Sequence, residues 1–307
     1  MNYTLHQLRV FLKVTEFQSV TKAAEELYLT QPAVSIQLKK LQDQFDLPLT
    51  EIVGRQLYVT DFGHEIAERS RRILDEADAI KYTADRYKGL ISGKIKISVV
   101  STGKYVMPYI LKPFMDKYPG VDISLDVSNK TRVVQGLAKN ESDFSLVSVV
   151  PDGIAMKKVE LMENRLYLAG SKIFEGSFNN PADLKKSTLL FREEGSATRA
   201  AMENYLKENK IDPKKSMELV SNEAVKQAIN AGIGLSIVPL IGLRSALISE
   251  DIRIFPMEGL PIVTKWYLVY SKGKQLTPAQ QALVDFIEKE KDQIEKEQFG
   301  WALDAIK

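Results

Sequence analysis

Residues 23–41 read Ala-Ala-Glu-Glu-Leu-Tyr-Leu-Thr-Gln-Pro-Ala-Val-Ser-Ile-Gln-Leu-Lys-Lys-Leu, and they decide how the rest of the chain is read. Thr30 ahead of Gln31-Pro32 is a helix start: a hydroxyl to cap it, and a proline in the first turn, where a missing N–H costs nothing. From there Val34, Leu38, Leu41 and Phe45 recur at i, i+4, i+7 and i+11 and form one apolar stripe. At 3.6 residues per turn the opposite side carries Pro32, Ser35, Ile36, Lys39 and Lys40, flanked by Gln31 and Gln37. Upstream, Val20–Leu27 predicts a shorter helix with Ser19 or Thr21 as its N-cap. Ala23 and Ala24 are small enough to let another helix lie close. Leu5, Leu8, Phe11, Leu12 and Val14 predict one more amphipathic helix before it. Two short helices joined by a tight turn make a helix-turn-helix.

Working outward, Leu47-Pro48-Leu49 and Leu57-Tyr58-Val59-Thr60 read as short extended pieces around Gly54-Arg55-Gln56. That is a wing with a basic tip, placed for a minor groove or its phosphates. Gln pairs bidentately with adenine, Ser contacts bases or phosphate, and Lys neutralises phosphate. Charge makes no case of its own. Residues 1–63 hold six Lys/Arg against seven Asp/Glu, a net of −1. On spacing and charge alone, a small helical bundle whose polar face meets only water remains open.

The motif itself resembles the helix-turn-helix of LysR-type transcriptional regulators. That family places two alanines, a leucine, a Ser or Thr, Gln-Pro, a small residue, an aliphatic, Ser, Gln and two further aliphatics at fixed spacing. Here Ala23, Ala24, Leu27, Thr30, Gln31, Pro32, Ala33, Val34, Ser35, Gln37, Leu38 and Leu41 match every position. The resemblance implies DNA contacts from Gln31, Pro32, Ser35, Gln37 and Lys39, with Thr30 at the same helix start. It also implies contacts near Ser19 and Thr21, and one from Arg55 on the wing. One departure stands out: the family's Leu-Phe-x-Arg before the wing is here Leu49-Thr50-Glu51-Ile52.

The chain has 307 residues, enough for two or three domains with real cores. It has no cysteine and only His6 and His64. Disulfides, thiolate metal sites, cysteine nucleophiles and most histidine triads are thereby excluded. A net charge of +2 with 27% charged residues is ordinary for a globular protein. No apolar run approaches the ~18 residues of a membrane span. The first residues lack the basic start and apolar core of a signal peptide, so a cytoplasmic protein with no membrane partner is expected.

His64 to Lys88 contains neither Pro nor Gly. Ile66, Ser70, Ile73, Ala77, Ile80, Ala84 and Tyr87 alternate steps of four and three, as in a coiled-coil seam. A helix of about 37 Å is expected at 1.5 Å per residue. Its small seam residues make a weak zipper, and a helix lying on its own globule is the other reading. In the family this is the linker helix that pairs subunits, so Ile66, Ile73, Ala77, Ile80 and Ala84 are the expected dimerisation residues. A homodimer is implied, and tetramers are usual in the family. Pairing would place two recognition helices on half-sites one or two turns apart.

After Gly89–Gly93 the pattern alternates strands and helices, which predicts α/β lobes. Strands are expected at 94–100, 121–127, 144–149, 165–169, 188–191, 217–220, 235–237, 252–256 and 265–270. Helices are expected at 129–140, 198–209, 222–231, 239–248 and 278 to about 296, with one more ending at Tyr118. Chain order places lobe I at about 90–163 plus 267–307, with lobe II, about 164–266, inserted. Ligand groups belong where strands end and helices begin, because free N–H groups there favour anions. Ser101-Thr102-Gly103-Lys104 and Gly195-Ser196-Ala197-Thr198-Arg199 are two such places, and Asn129 and Asn222-Glu223 add amide and carboxyl groups. Each is also an ordinary helix cap.

The whole is therefore expected to be an α/β protein with a winged helix-turn-helix headpiece (1–63), a linker helix (64–89) and an effector region (90–307). That last region resembles the family's two Rossmann-like subdomains, related to periplasmic binding proteins. Residues 99–105, 137–143, 192–199 and 221–227 look like the subgroup that controls carbon-fixation (RuBisCO) operons. The resemblance implies promoter DNA as partner, RNA polymerase as a further one, and a small anionic effector. Phosphorylated metabolites, organic acids and nicotinamide nucleotides are the classes in view. No cofactor or metal is expected. A two-lobed α/β enzyme is the alternative; two histidines, neither in the cleft region, allow no nucleophile–His–acid set, which leaves that alternative only a Lys- or carboxylate-based site for which no motif is present. The Lys- and Glu-rich tail beyond about residue 290 reads as a solvated helix end.

Overall fold

The computed structural model describes residues 2–54, 56–139, 141–150, 153, 155–174 and 178–304, without the side chains of 81, 84–87, 303 and 304. The chain divides into two units, Met1–Leu90 and Ile91–Lys307. Arg55 and the side chain of Ala84, both named above, lie outside the described residues.

The first unit runs α1 (Leu5–Phe17), α2 (Val20–Glu26), α3 (Gln31–Gln42), β1 (Thr50–Val53), β2 (Gln56–Val59) and α4 (Asp61–Tyr87). Caps set these boundaries. Thr4 and Gln7 form a reciprocal capping box at the start of α1. Ser19 accepts from the Lys22 amide at 3.3 Å, and Thr30 from that of Ala33 at 3.4 Å. Phe11, Val14, Ala23, Val34, Leu41 and Leu49 are fully buried where the helices meet.

The wing differs from expectation. Its first strand is Thr50–Val53, antiparallel to Gln56–Val59, and not Leu47–Leu49. Leu49 belongs to the core, and its carbonyl accepts from the Thr60 amide at 3.1 Å. The Gln42 side chain holds this segment, donating to Leu47 O at 3.0 Å and accepting from Leu49 N. Gly63 makes the close approach possible: a Cβ there would lie 2.0 Å from the Leu49 carbonyl oxygen. Thr50 is half-buried and Ile52 is 74% exposed, so the wing seats through Leu49, Thr60 and Gly63 without the family's phenylalanine.

Helix α4 begins at Asp61, ahead of the expected 64, and its 27 residues span about 40 Å. Ala67, Ser70 and Leu74 are buried against the headpiece, with Ile66 packed beside them. Arg9 pairs with Asp78 at 3.2 Å. The adjacent stripe stays open: Ile73 is 40% exposed, Ile80 72%, and Ala77 is half-buried.

The second unit runs β3 (Ser92–Val100), α5 (Met107–Lys117), β4 (Gly120–Ser128), α6 (Lys130–Ala138), β5 (Phe144–Val147) and β6 (Met156–Ser171). It continues with β7 (Thr188–Arg192), α7 (Ala197–Glu208), β8 (Lys215–Leu219), α8 (Asn222–Asn230), β9 (Ser236–Pro239), α9 (Arg244–Ile248) and β10 (Ile252–Phe255). It closes with β11 (Ile262–Ser271), α10 (Pro278–Ile294), a π-helical turn (Glu295–Phe299) and α11 (Trp301–Asp304). In lobe I, β3 lies between β4 and β5, parallel to both. The return strand β11 pairs antiparallel with β5 and with β6, and β6 goes on to pair with β9 and β10 in lobe II. Two long antiparallel strands therefore connect the lobes, with a bulge between Trp266 and Tyr267. Each lobe has its own core, one around Phe114, Leu146, Trp266 and Leu283, the other around Leu168, Leu189, Tyr205 and Phe255.

Three expectations are corrected. The strand placed at 165–169 starts at Met156, because exposed Lys157, Lys158 and Glu160 on its outer side resemble a loop in sequence. The helix expected over 239–248 is a 3-10 turn, Leu240–Leu243, followed by α9. The tail is no solvated end: Phe299 is 4% exposed in the lobe I core. A π turn places residues five apart on one side, so Ile294 and Phe299 are buried together.

Candidate DNA interface and effector cleft

On α3 the core takes Val34, Leu38 and Leu41, while Gln31, Pro32, Ile36, Lys39 and Lys40 are exposed and Ser35 and Gln37 half-exposed. The Gln31 amide donates to Ser35 Oγ at 3.0 Å, which joins two candidate base-reading groups into one surface. Ser19 and Thr30 accept helix N–H bonds as caps. A hydroxyl that accepts still has its own proton to donate, so capping and phosphate contact are compatible. Thr21 is exposed one residue into α2. Ile36, 53% exposed on the same face, is an apolar group suited to a thymine methyl.

In the second unit the lobes meet at Ser101, at the end of β3. Its Oγ accepts from Arg192 Nη2 and from Asn222 Nδ2, each at 3.1 Å. Both lone pairs are then engaged, and the hydroxyl is left as a donor. Arg192 is 3% exposed and holds Glu193 in a two-pronged pair, 2.7 Å on each prong. Nearby, Gly195 (φ +82°) approaches lobe I so closely that a Cβ would sit 3.2 Å from Thr131 Oγ1. Asn222 Oδ1 is buried without a partner.

The expected helix-start residues separate into two kinds. Asn129 caps α6, accepting from the Arg132 amide at 2.9 Å. Ser196 and Thr102 stand at cap positions but make no capping bond, and both are buried, as is Thr198. Buried hydroxyls not used in capping are available to a ligand. A cavity of about 450 Å³ lies against this helix start, lined by Ser148, Val149, Asn164, Thr198, Tyr205 and Thr264 among others. That volume suits a small metabolite.

The cations are placed unevenly. Arg199 is held by Glu203 at 2.7 Å, by Glu218, and by the Arg192 carbonyl at 3.1 Å. It braces the end of β7, while buried Arg192 is the cation that reaches across to lobe I. Sequence reasoning missed Arg192 as a site residue; the signal was a basic residue ending a strand just before a helix start. Glu223 is held below the usual carboxylate range by Lys226 at 2.9 Å and by Gln227, with help from Lys104. Lys104 lies over the Tyr105 ring at 5.1 Å and has no ion pair among the described residues. Burial pushes the Tyr105 phenol up, and Glu223 adds to this. Among the described residues no cluster of acidic and histidine side chains is placed to hold a metal, and no helix is long and apolar enough to cross a membrane.

Residues 5–64 match the bacterial regulatory helix-turn-helix of the lysR family, and residues 88–292 match the LysR substrate binding domain. A RuBisCO operon transcriptional regulator of Allochromatium vinosum is 37% identical over 295 residues, covering 94% of this chain and 96% of that protein. The transcriptional activator CmpR of a Synechocystis strain is 35% identical over 289 residues, covering 93% and 95%. The regulatory domain of CcmR from Synechocystis PCC6803, solved in complex with 2-PG, superposes with a TM-score of 0.61 at 31% identity. It covers 64% of this chain and 96% of the solved one. The exposed recognition face, the two-lobed α/β unit and these relationships converge: the chain belongs to the LysR family and is a DNA-binding transcriptional regulator with an effector-binding domain.

Proposed function

We propose that this regulator controls genes of inorganic-carbon assimilation in response to a small phosphorylated acid bound between its lobes. Relatives over nearly the full length of the chain carry RuBisCO-operon and CmpR names, and the similar CcmR domain was solved with 2-PG. The observation that carries the reading is Ser101, whose hydroxyl is fixed by Arg192 and Asn222 of the other lobe and left as a donor toward the cleft. Buried Ser196, Thr198 and Thr102 supply further donors, and Lys104, which has no ion pair among the described residues, supplies positive charge. An anionic oxygen would draw these groups together and pull lobe II onto lobe I. By linkage the ligand shifts that equilibrium only by its differential affinity for the closed state.

On the DNA side, Gln31, Ser35 and Gln37 read base edges. Pro32 and Thr30 set the helix start, and Ser19, Thr21 and Lys39 hold phosphates. Two copies pair through the open stripe of α4, Ile73, Ala77 and Ile80, which doubles the phosphate contacts of a headpiece with net charge −1. The protein acts in the cytoplasm, and its output is altered promoter occupancy, read by RNA polymerase. Calorimetric titration with 2-phosphoglycolate, sugar phosphates, dicarboxylic acids and nicotinamide nucleotides tests the effector. Binding of a phosphorylated acid that is lost in Ser196→Ala and Thr102→Val, with DNA affinity kept, supports the reading. Equal binding in those variants overturns the assignment of the site.

A further inference from the structure

The tail beyond residue 292, where the match to the family's effector domain ends, ties the two lobes together on the side of the connecting strands. Its first anchor is in lobe I: Phe299 is 4% exposed and packs edge-to-face on Tyr109 of α5 with ring centroids 5.3 Å apart. Its second anchor is in lobe II: the Arg244 guanidinium of α9 lies over the Trp301 ring at 5.4 Å. A single residue, Gly300, separates anchors that belong to different lobes.

Between the tail and the connecting strands the packing is open. A cavity of about 530 Å³ is bounded by Leu161, Glu163 and Arg165 of β6, by Trp266 of β11, by Ile241, and by the tail from Glu295 to Ala302. The bulge falls in this same stretch: Trp266 pairs with Met162 but Tyr267 with Glu160, which leaves Leu161 as the extra residue. A bulge is where a strand pair kinks. The tail is therefore anchored to lobe I through Phe299 and to lobe II through Trp301, beside the cavity at the stretch where the strands would bend. Trp266 also lines this space and its buried indole N–H has no partner among the described residues, while Lys265 pairs with Glu160 across the two strands at 2.6 Å.

We propose that residues 295–304 form a strap that limits how far lobe II can swing from lobe I, and so sets the resting opening of the effector cleft. The lobes are held on the cleft side by Arg192 and Asn222 on Ser101, and on the far side by Phe299 and Trp301. A ligand that rearranges the first tie works against the second. The strap acts whatever the effector is; only its regulatory consequence rests on the function proposed above.

The absence of cysteine makes the test direct. Lys139→Cys in lobe I and Lys215→Cys in lobe II, both exposed, take spin labels, and the labelled full chain is diluted with unlabelled protein. Electron–electron distances are measured without ligand in three backgrounds: unaltered, Trp301→Ala, and a chain ending after Ile294. The strap predicts a broader distribution with its mean moved by more than about 2 Å in both altered chains, the scale of a domain rearrangement. Arg244→Gln, which breaks the same contact from the other lobe, should reproduce the Trp301→Ala change. An unchanged distribution in Trp301→Ala and Arg244→Gln overturns the proposal. Those two variants leave Phe299 in the core and decide the matter if the shortened chain fails to fold. No ligand is involved, so failure here is distinguishable from failure of the effector reading.

Discussion

The recognition helix and the interlobe cleft solve the same problem, presenting polar groups to a partner, in opposite ways. On α3 the groups come from nine consecutive residues, Gln31 to Lys39, and one helix fixes them all. In the cleft they come from Ser101, Arg192 and Asn222, over a hundred positions of chain, and they hold one another. A contiguous surface loses a contact when a residue is changed. A mutually supported one loses its geometry as well. The two regions should therefore respond differently to substitution, and they lie in different folding units.

The largest test of that contrast is Phe11→Ala. Phe11 is fully buried in the headpiece core, and losing it should cost about 3–5 kcal/mol. Calorimetry should show the headpiece transition fall and DNA binding disappear while the transition of the second unit stays in place. A fall in both transitions would mean that the units are not independent. Next, Arg192→Met leaves the Glu193 carboxylate without its partner and Ser101 without one of its donors. Breaking a buried pair in this way costs about 3 kcal/mol, read as loss of stability in the second unit with headpiece melting unchanged.

Smaller effects separate reading from holding. Gln31→Ala should relax base preference by about 1–3 kcal/mol at one position of each half-site, with little loss in non-specific binding. Competition binding against operator variants measures this. Ser101→Ala leaves one N–H of Arg192 and one of Asn222 without an acceptor, and should destabilise the second unit by about 1–2 kcal/mol. The smallest effect is on pH dependence. Burial raises the Glu295 carboxyl above its ordinary range, with Glu163 and Asp292 adding to the shift. A raised folded-state value means the stabilising proton is fully held below the ordinary pKa and is lost as pH rises through the raised one. The unaltered second unit should therefore lose a little stability over that window, and Glu295→Gln should flatten the loss. Melting temperatures across pH 4 to 7 in steps of about half a unit resolve a shift of this kind.

The same contrast explains what could be read from sequence. The headpiece was legible because its constraints are local: a cap at Thr30, a proline at Pro32 and a stripe through Val34, Leu38 and Leu41 all act within one turn or two. The heptad of α4 was only half legible. Periodicity reports apolar residues, not which surface takes them, and Ser70 goes to the headpiece while Ile80 stays exposed. In the cleft, Ser101 and Asn222 stood out as helix-start residues, but Arg192 did not, because its role depends on a hydroxyl 91 residues away. Arg199 looked like the ligand cation from its spacing, yet Glu203 and Glu218 engage it from α7 and β8. The tail was misread because a π turn, which brings Ile294 and Phe299 to one side, leaves no mark in a 3.6-residue pattern.

The central claim is that the headpiece reads promoter DNA and the cleft governs how it does so. The direct measurement is a footprint of the full chain on the intergenic DNA upstream of its own gene, with and without 2-phosphoglycolate, in the unaltered protein and in Ser196→Ala. The account predicts a protected region whose length or internal hypersensitivity changes with the ligand in the unaltered protein and does not change in Ser196→Ala, with equal affinity in its absence. A footprint that responds identically in both proteins would contradict it.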